Sequence, residues 1–301
     1  MVIEIENLKK SFVDSPVLKG VTINIDKDCV YGLVGLNGAG KTTLIRLILG
    51  LLKKDFGQIS VLGHNPWDHK PQFYRRMGVV LENDGFHGNM TVRENLKFFA
   101  SAKNIPYKEA LTYFDDYWGD TEIFKTDKKV KYLSRGQRVQ CGLCRALMGW
   151  PQVCIFDEPA VSLDVTAYEH LKAMITEAKK VKSAIIISSH QLETIDDLCD
   201  RVGVLRNGVI EELEQKGDCT QGWAIVCDYD NRYREILQSH GASQIHYTNG
   251  FWRFTLNNGV QSIPQLVREL VIAGCNISQV RPTKTEFSDS IKNIYKSGSE
   301  K

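Results

Sequence analysis

The run Gly35-Leu36-Asn37-Gly38-Ala39-Gly40-Lys41-Thr42-Thr43 carries the residue types a polyphosphate requires. Glycines at 35, 38 and 40 let the backbone bend tightly, so that successive N–H groups converge on phosphate oxygens. Lys41 is placed to reach the β- and γ-phosphates and the Thr42 hydroxyl to ligate Mg²⁺, the division of labour this spacing implies. The flanks agree. Cys29 to Val34 is short, apolar and β-branched, as a buried strand would be, and Leu44 to Leu49 has helical character and stops at Gly50. A strand, a glycine loop and a helix in that order predict a nucleoside triphosphate site at a helix N-terminus.

Three further strands end in chemistry. Val153-Cys154-Ile155-Phe156 runs into Asp157-Glu158-Pro159. In a chain with a phosphate loop, the first carboxylate is expected to organise Mg²⁺. The second is placed to polarise an attacking water. Ala184 to Ile187 is a second buried strand and runs through Ser188-Ser189 into His190, at the edge where open α/β sheets bind ligands. A third strand, Arg76 to Leu81, ends in Glu82. Phe12 lies upstream of the glycine loop; its residue type fits a core position and a base-stacking platform equally well.

The elements that must position these groups follow from periodicity. Val2 to Ile5 and Val21 to Ile25 read as strands, with a loop through Asp14-Ser15-Pro16 between them. Thr91 with Glu94 three residues on predicts a capping box opening a helix, and Tyr107 to Trp118 predicts a second helix, so that about 84–150 forms a helical insertion in an α/β domain. A helix is predicted from about 166 to 180, and Asn207-Gly208 predicts a hairpin after Val202 to Leu205. From about 217 the pattern changes. Trp223–Cys227, Arg232–His240, Ser243–Tyr247, Phe251–Leu256, Ile263–Ala273 and Ile277–Val280 give the order βαββαβ, a ferredoxin-like arrangement, with a last helix at about 285–296. The predicted domains are therefore 1–216 and 217–301.

Composition narrows the functional classes. Hydrophobic residues make up 43% and charged residues 25%, ordinary for a soluble globular chain. A net charge of +2 gives no support for nucleic acid as the main partner. The acidic, alternating start is not that of a signal peptide, and no apolar run approaches the ~18 residues of a membrane span; Arg46 interrupts the best candidate. Of eight cysteines, only Cys141 and Cys144 form a CxxC, and without a second pair they read as small apolar residues one turn apart on a helix. A reducing compartment is expected.

Taken in order, residues 1 to about 215 resemble the nucleotide-binding subunits of ATP-binding cassette (ABC) transporters. Gly35–Thr42 is similar to that family's Walker A loop, and Val153–Glu158 to Walker B with its catalytic glutamate. Leu133-Ser134-Arg135-Gly136-Gln137 resembles the signature loop, Ser162-Leu163-Asp164 the D-loop and His190 the switch histidine. Phe12 stands where the family has its adenine-stacking aromatic. Two positions depart. Arg135 replaces the first of the usual paired glycines, which predicts an ordinary backbone there, with its cation facing phosphate or solvent. Glu82 replaces the glutamine of the Q-loop; a carboxylate can ligate Mg²⁺ but cannot donate as an amide does.

The resemblance implies an ATPase with a P-loop NTPase core of ABC type: a mixed sheet, an antiparallel β subdomain and a helical subdomain. Two cassettes would pack head-to-tail as a homodimer or as a heterodimer with a related cassette. Each would sandwich ATP between its own Walker A loop and the partner's signature loop, with Thr42, Glu82 and Asp157 holding Mg²⁺. The partner would be a separate transmembrane permease, the location the cytoplasmic face of the membrane, and the direction export. The competing expectation is a soluble ABC-type ATPase of cluster assembly or another non-transport role.

Overall fold

The structure is a computed structural model that describes residues 1–13, 15–68, 71–81, 85–110, 112, 123, 128–214, 221–248, 250–256, 263–283, 287, 291, 294 and 295. It divides into two compact units, Met1–Leu213 and Glu214–Lys301. Glu82 lies outside the described residues, as do Trp118, most of the expected second insertion helix and most of the expected last helix. Among the described residues no helix is long and apolar enough to cross a membrane.

The first unit is built on two sheets. Strands β1 (Ile3–Phe12), β2 (Ser15–Ile25) and β4 (Phe56–Val61) form an antiparallel sheet in the order β2-β1-β4. Ile3 and Ile5 on β1, Leu8 after a register shift, and alternating Val21, Ile23 and Ile25 on β2 face inward, and all six are buried. The hairpin is tighter than the sequence predicts. Ser15 and Pro16, expected in the loop, belong to β2 and pair with Phe12 and Ser11. Pro16 is tolerated because β2 is an edge strand, where a missing N–H is not missed.

The second sheet has six strands in the order β5-β6-β7-β3-β8-β9. Strands β3 (Val30–Val34), β5 (Met77–Val80), β6 (Val153–Asp157), β7 (Ala184–Ser189) and β8 (Arg201–Arg206) run parallel to one another. β3 and β7 are buried at every position, which is why they are apolar runs without alternation. β9 (Val209–Glu214) follows β8 through a turn at Asn207 and Gly208, both with positive φ, as a two-residue type I′ hairpin requires.

Helices cover this sheet: α1 (Lys41–Ile48), α2 (Pro71–Arg75), α3 (Val92–Lys103), α4 (Arg135–Leu147), α5 (Val165–Lys180) and α6 (Leu192–Leu198). α3 opens with the predicted capping box, Thr91 and Glu94 exchanging side-chain and backbone bonds. α4 opens with another, between Ser134 and Gln137. Cys141 and Cys144 sit one turn apart on α4 and are buried.

The second unit has the element order β-α-β-β-α-β. Strands β10 (Gln221–Val226), β11 (Ala242–Thr248), β12 (Phe251–Leu256) and β13 (Gln279–Thr283) form an antiparallel sheet in the order β11-β12-β10-β13. Helices α7 (Asn231–Ser239) and α8 (Ile263–Ile272) pack on one face, over Trp223, Ile225, Trp252, Phe254 and Leu256.

Candidate functional site

The strand order places the chemistry at one edge. β6, β7 and β3 are adjacent and parallel, so their C-terminal ends carry Asp157-Glu158, Ser188-Ser189-His190 and the loop from Gly35 side by side. A parallel sheet brings C-terminal strand ends together, which no spacing along the chain states.

At the loop, Gly38 and Gly40 take φ of 81° and 106°, and Gly40 is the N-cap of α1. A Cβ on Gly40 would stand 2.9 Å from Cγ1 of Val17, so only glycine lets the loop lie against β2. No side chain caps α1, and its first turn presents bare N–H groups and the positive end of the helix. Gly35 and Gly40 are buried, Leu36, Asn37 and Gly38 are exposed, and Ala39 and Thr43 are half-buried. Lys41 is only 7% exposed, and its ammonium donates to the Gly35 carbonyl at 2.7 Å. It thereby folds back over the loop.

Glu158 faces that ammonium. Glu158 Oε1 stands 3.7 Å from Lys41 Nζ, and Oε2 accepts from His190 Nδ1 at 2.8 Å. Glu158 has φ of 52°, unusual for a non-glycine residue, and its backbone N–H donates to the Ser188 hydroxyl at 2.9 Å. Ser188 Oγ also donates to Asp157 Oδ1 at 2.5 Å. One buried hydroxyl therefore fixes both acidic residues. The other oxygen of Asp157, Oδ2, accepts from Thr42 Oγ1 at 3.4 Å. Sequence reasoning passed over Ser188; the signal available was a hydroxyl residue ending an otherwise apolar strand.

The Thr42–Asp157 pair offers two hard oxygens of the kind Mg²⁺ takes when phosphates and water complete its shell. Among the described residues no cluster of three acidic, histidine or cysteine side chains exists to form a site without such phosphates. The residues present therefore fit the cation only together with a polyphosphate.

The signature-like segment lies beside this edge. Arg135 is the first residue of α4, in helical conformation and exposed, so the ordinary backbone expected at the glycine-to-arginine replacement is what the chain adopts. Gly136 is different, for a Cβ there would stand 2.3 Å from the carbonyl oxygen of Ser162. Ser162 itself has φ of 78°, and Asp164 N-caps α5 by accepting from the Ala167 N–H. A cleft of about 400 Å³ runs between α4 and the strand ends, lined by Arg135, Arg138, Arg145, Asp157 and Glu158 among others. Phe12 stands at the tip of the β1–β2 hairpin and is 45% exposed, not a core residue.

This arrangement can bind a polyphosphate, hold a divalent cation on two oxygens and place a carboxylate for water. Comparison with known proteins points the same way. A family model described as ABC transporter matches residues 18–161. The bacitracin transport ATP-binding protein BcrA of Bacillus licheniformis is 36% identical over 214 residues, 70% of this chain and 69% of its own length. The ABC transporter ATP-binding protein YdbJ of Bacillus subtilis, itself uncharacterised, is 30% identical over 96% of this chain and 93% of its length. A nucleotide-free ATP-binding cassette from an ABC transporter superposes with a TM-score of 0.59 at 25% identity, over 71% of this chain and 91% of that one. An ATP-binding subunit of an ABC transporter reaches a TM-score of 0.68 over 90% of this chain and 100% of that one; at 23% identity it speaks for the fold alone. The chain belongs to the ABC transporter family, as one of its ATP-binding, ATP-hydrolysing subunits.

Proposed function

We propose that this chain powers a separate transmembrane permease, exporting its substrate, by hydrolysing ATP in a head-to-tail dimer at the cytoplasmic face of the membrane. The observation that carries the reading is the convergence of Lys41, Asp157, Glu158, Ser188 and His190 at one sheet edge.

In this reading the N–H groups from Gly35 to Thr43 and the Lys41 ammonium hold the β- and γ-phosphates. Thr42 and Asp157, with Glu82, hold Mg²⁺, whose charge offsets that of the phosphates. Glu158, held between Lys41 and His190, orients or deprotonates the attacking water. His190, already bonded to Glu158 through Nδ1, keeps Nε2 for the γ-phosphate. Phe12 stacks the adenine. The segment Ser134–Gln137 of one protomer closes over the nucleotide of the other, where the Ser134 hydroxyl, the following N–H groups and the Arg135 cation meet the γ-phosphate, and Asp164 completes the shared interface. Export is favoured by a relative named for Nod factor export.

The test is affinity purification of tagged Glu158→Gln protein from its native membranes with ATP present. Co-purification of a polytopic membrane protein is expected. A protein that stays out of the membrane fraction and brings down only water-soluble partners would sink the reading.

A further inference from the structure

The hairpin tip that carries Phe12 extends beyond its sheet. On the β4 side the paired register with β1 ends at Lys9↔Phe56, leaving Lys10, Ser11 and Phe12 without a strand partner. Asp55, the residue before β4, takes that place with three bonds. Its backbone N–H donates to the Lys9 carbonyl at 3.1 Å. Its carboxylate accepts from the Ser11 N–H at 2.7 Å through Oδ2 and from the Lys10 ammonium at 2.7 Å through Oδ1. One side chain thus continues the ladder where the strand has stopped.

Lys10 links that carboxylate to the aromatic ring, since its ammonium lies 5.5 Å from the centroid of Phe12. The far side of the hairpin is fixed to the nucleotide loop and to β8–β9. Gly40 lies against Val17 and Leu18 of β2, and the Lys19 N–H donates to the Gly208 carbonyl at 2.7 Å. The register then carries position across the hairpin, from Leu18 to Lys10 and from Ser15 to Phe12. One strand of the hairpin is therefore held by the phosphate loop and the other by Asp55.

We propose that Asp55 is a positioning residue for base recognition. It holds Ser11 and Lys10 so that the Phe12 ring stands at a fixed distance from the phosphate loop, and so sets the part of nucleotide affinity that depends on the base. This rests on the reading of Phe12 as the adenine platform. The Asp55 end of the pairing is exposed, which weakens its ion-pair component. Its leverage is geometric: a displaced ring no longer overlaps a base whose phosphates are anchored elsewhere.

The experiment compares binding of Mg-ATP and of Mg-tripolyphosphate, which has the phosphates but no base, to the full chain. Asp55→Ala is expected to weaken ATP by roughly 5–10-fold and to leave tripolyphosphate unchanged, since stacking is worth ~1–3 kcal/mol per base. Phe12→Ala is expected to do the same, and the double variant to be no weaker than Phe12→Ala alone. Lys10→Met, which keeps the Ser11 bond, should fall between Asp55→Ala and the parent. Equal weakening of both ligands by Asp55→Ala, or losses that add in the double variant, overturns the assignment. A Phe12→Ala protein with an unchanged ATP-to-tripolyphosphate ratio overturns the platform and the clamp together. A lowered ratio in Phe12→Ala beside an unchanged one in Asp55→Ala overturns the clamp alone.

Discussion

Gly136 and Ser162 approach so closely that a Cβ on the first would stand 2.3 Å from the carbonyl oxygen of the second. The start of α4 and the segment leading to α5 are thereby locked together, and the paired-glycine pattern of the family divides into two different demands. Position 136 needs the absence of a side chain. Position 135 needs nothing of the kind, since it is an exposed first residue of a helix.

From this follows an asymmetric pair of variants. Gly136→Ala must push backbone against backbone and is expected to destabilise the protein by about 1–3 kcal/mol, with an ATPase loss of tenfold or more. Arg135→Gly should change stability by less than about 1 kcal/mol, the helix-propensity difference. Thermal unfolding and turnover of the two proteins decide it; a harmless Gly136→Ala would show that the two segments move apart freely.

Glu158→Gln keeps the shape of the side chain and removes its basicity. Hydrolysis should slow by about 10²–10⁴-fold while ATP binding persists. Parallel measurement of nucleotide affinity and single-turnover rate checks this. Loss of binding together with turnover would contradict the assignment of Glu158 to water.

Ser188→Ala removes the hydroxyl that donates to Asp157 and accepts from the Glu158 N–H. The Glu158 N–H keeps a second acceptor, the Ser188 carbonyl at 3.2 Å, so the fold should hold within about 1–2 kcal/mol. Asp157 loses its orientation toward Thr42, and the Mg²⁺ concentration for half-maximal turnover should rise several-fold. An unchanged Mg²⁺ dependence would show that Asp157 is positioned without Ser188.

Lys103 carries a pH signature. The last residue of α3, it donates to the carbonyls of Arg145, Ala146 and Met148 at the C-terminal end of α4. Burial, with the nearby Arg145 charge adding to it, lowers its pKa to about 8 from 10.5. Below pH 8 the amine is charged in both folded and unfolded chains, and the desolvation of the charge opposes folding in full. Between about pH 8 and 10.5 only the unfolded chain holds the proton, so this contribution to stability improves as pH rises. The stability of the parent relative to Lys103→Met should therefore increase by roughly 1–3 kcal/mol across that window. Denaturant unfolding at pH 7.5 and 10.5 measures it, and a flat difference refutes the buried charge.

How far the sequence alone reaches is plain from particular residues. The glycine loop, Asp157-Glu158 after an apolar strand, the Thr91–Glu94 cap and the Asn207-Gly208 turn are local, because their geometry is set by residues a few positions apart. The element order of the second unit is legible for the same reason. β2 begins earlier than the sequence predicts, because proline is excluded only from central strands and whether β2 is an edge depends on which strands pair with it.

Tertiary structure decided the rest. That Glu158 faces both Lys41 and His190 depends on β6, β7 and β3 lying side by side, while in sequence these residues are separated by long stretches of chain. The two hydrogen bonds of Ser188 to acidic residues, the contact of Gly136 with Ser162 and the hold of Asp55 on Ser11 are likewise pairings across strands or loops. Composition and periodicity dictate which residues are buried and which bend, because those choices depend on each residue and its near neighbours. Which buried or bent residue meets which is fixed only when the strands choose their order.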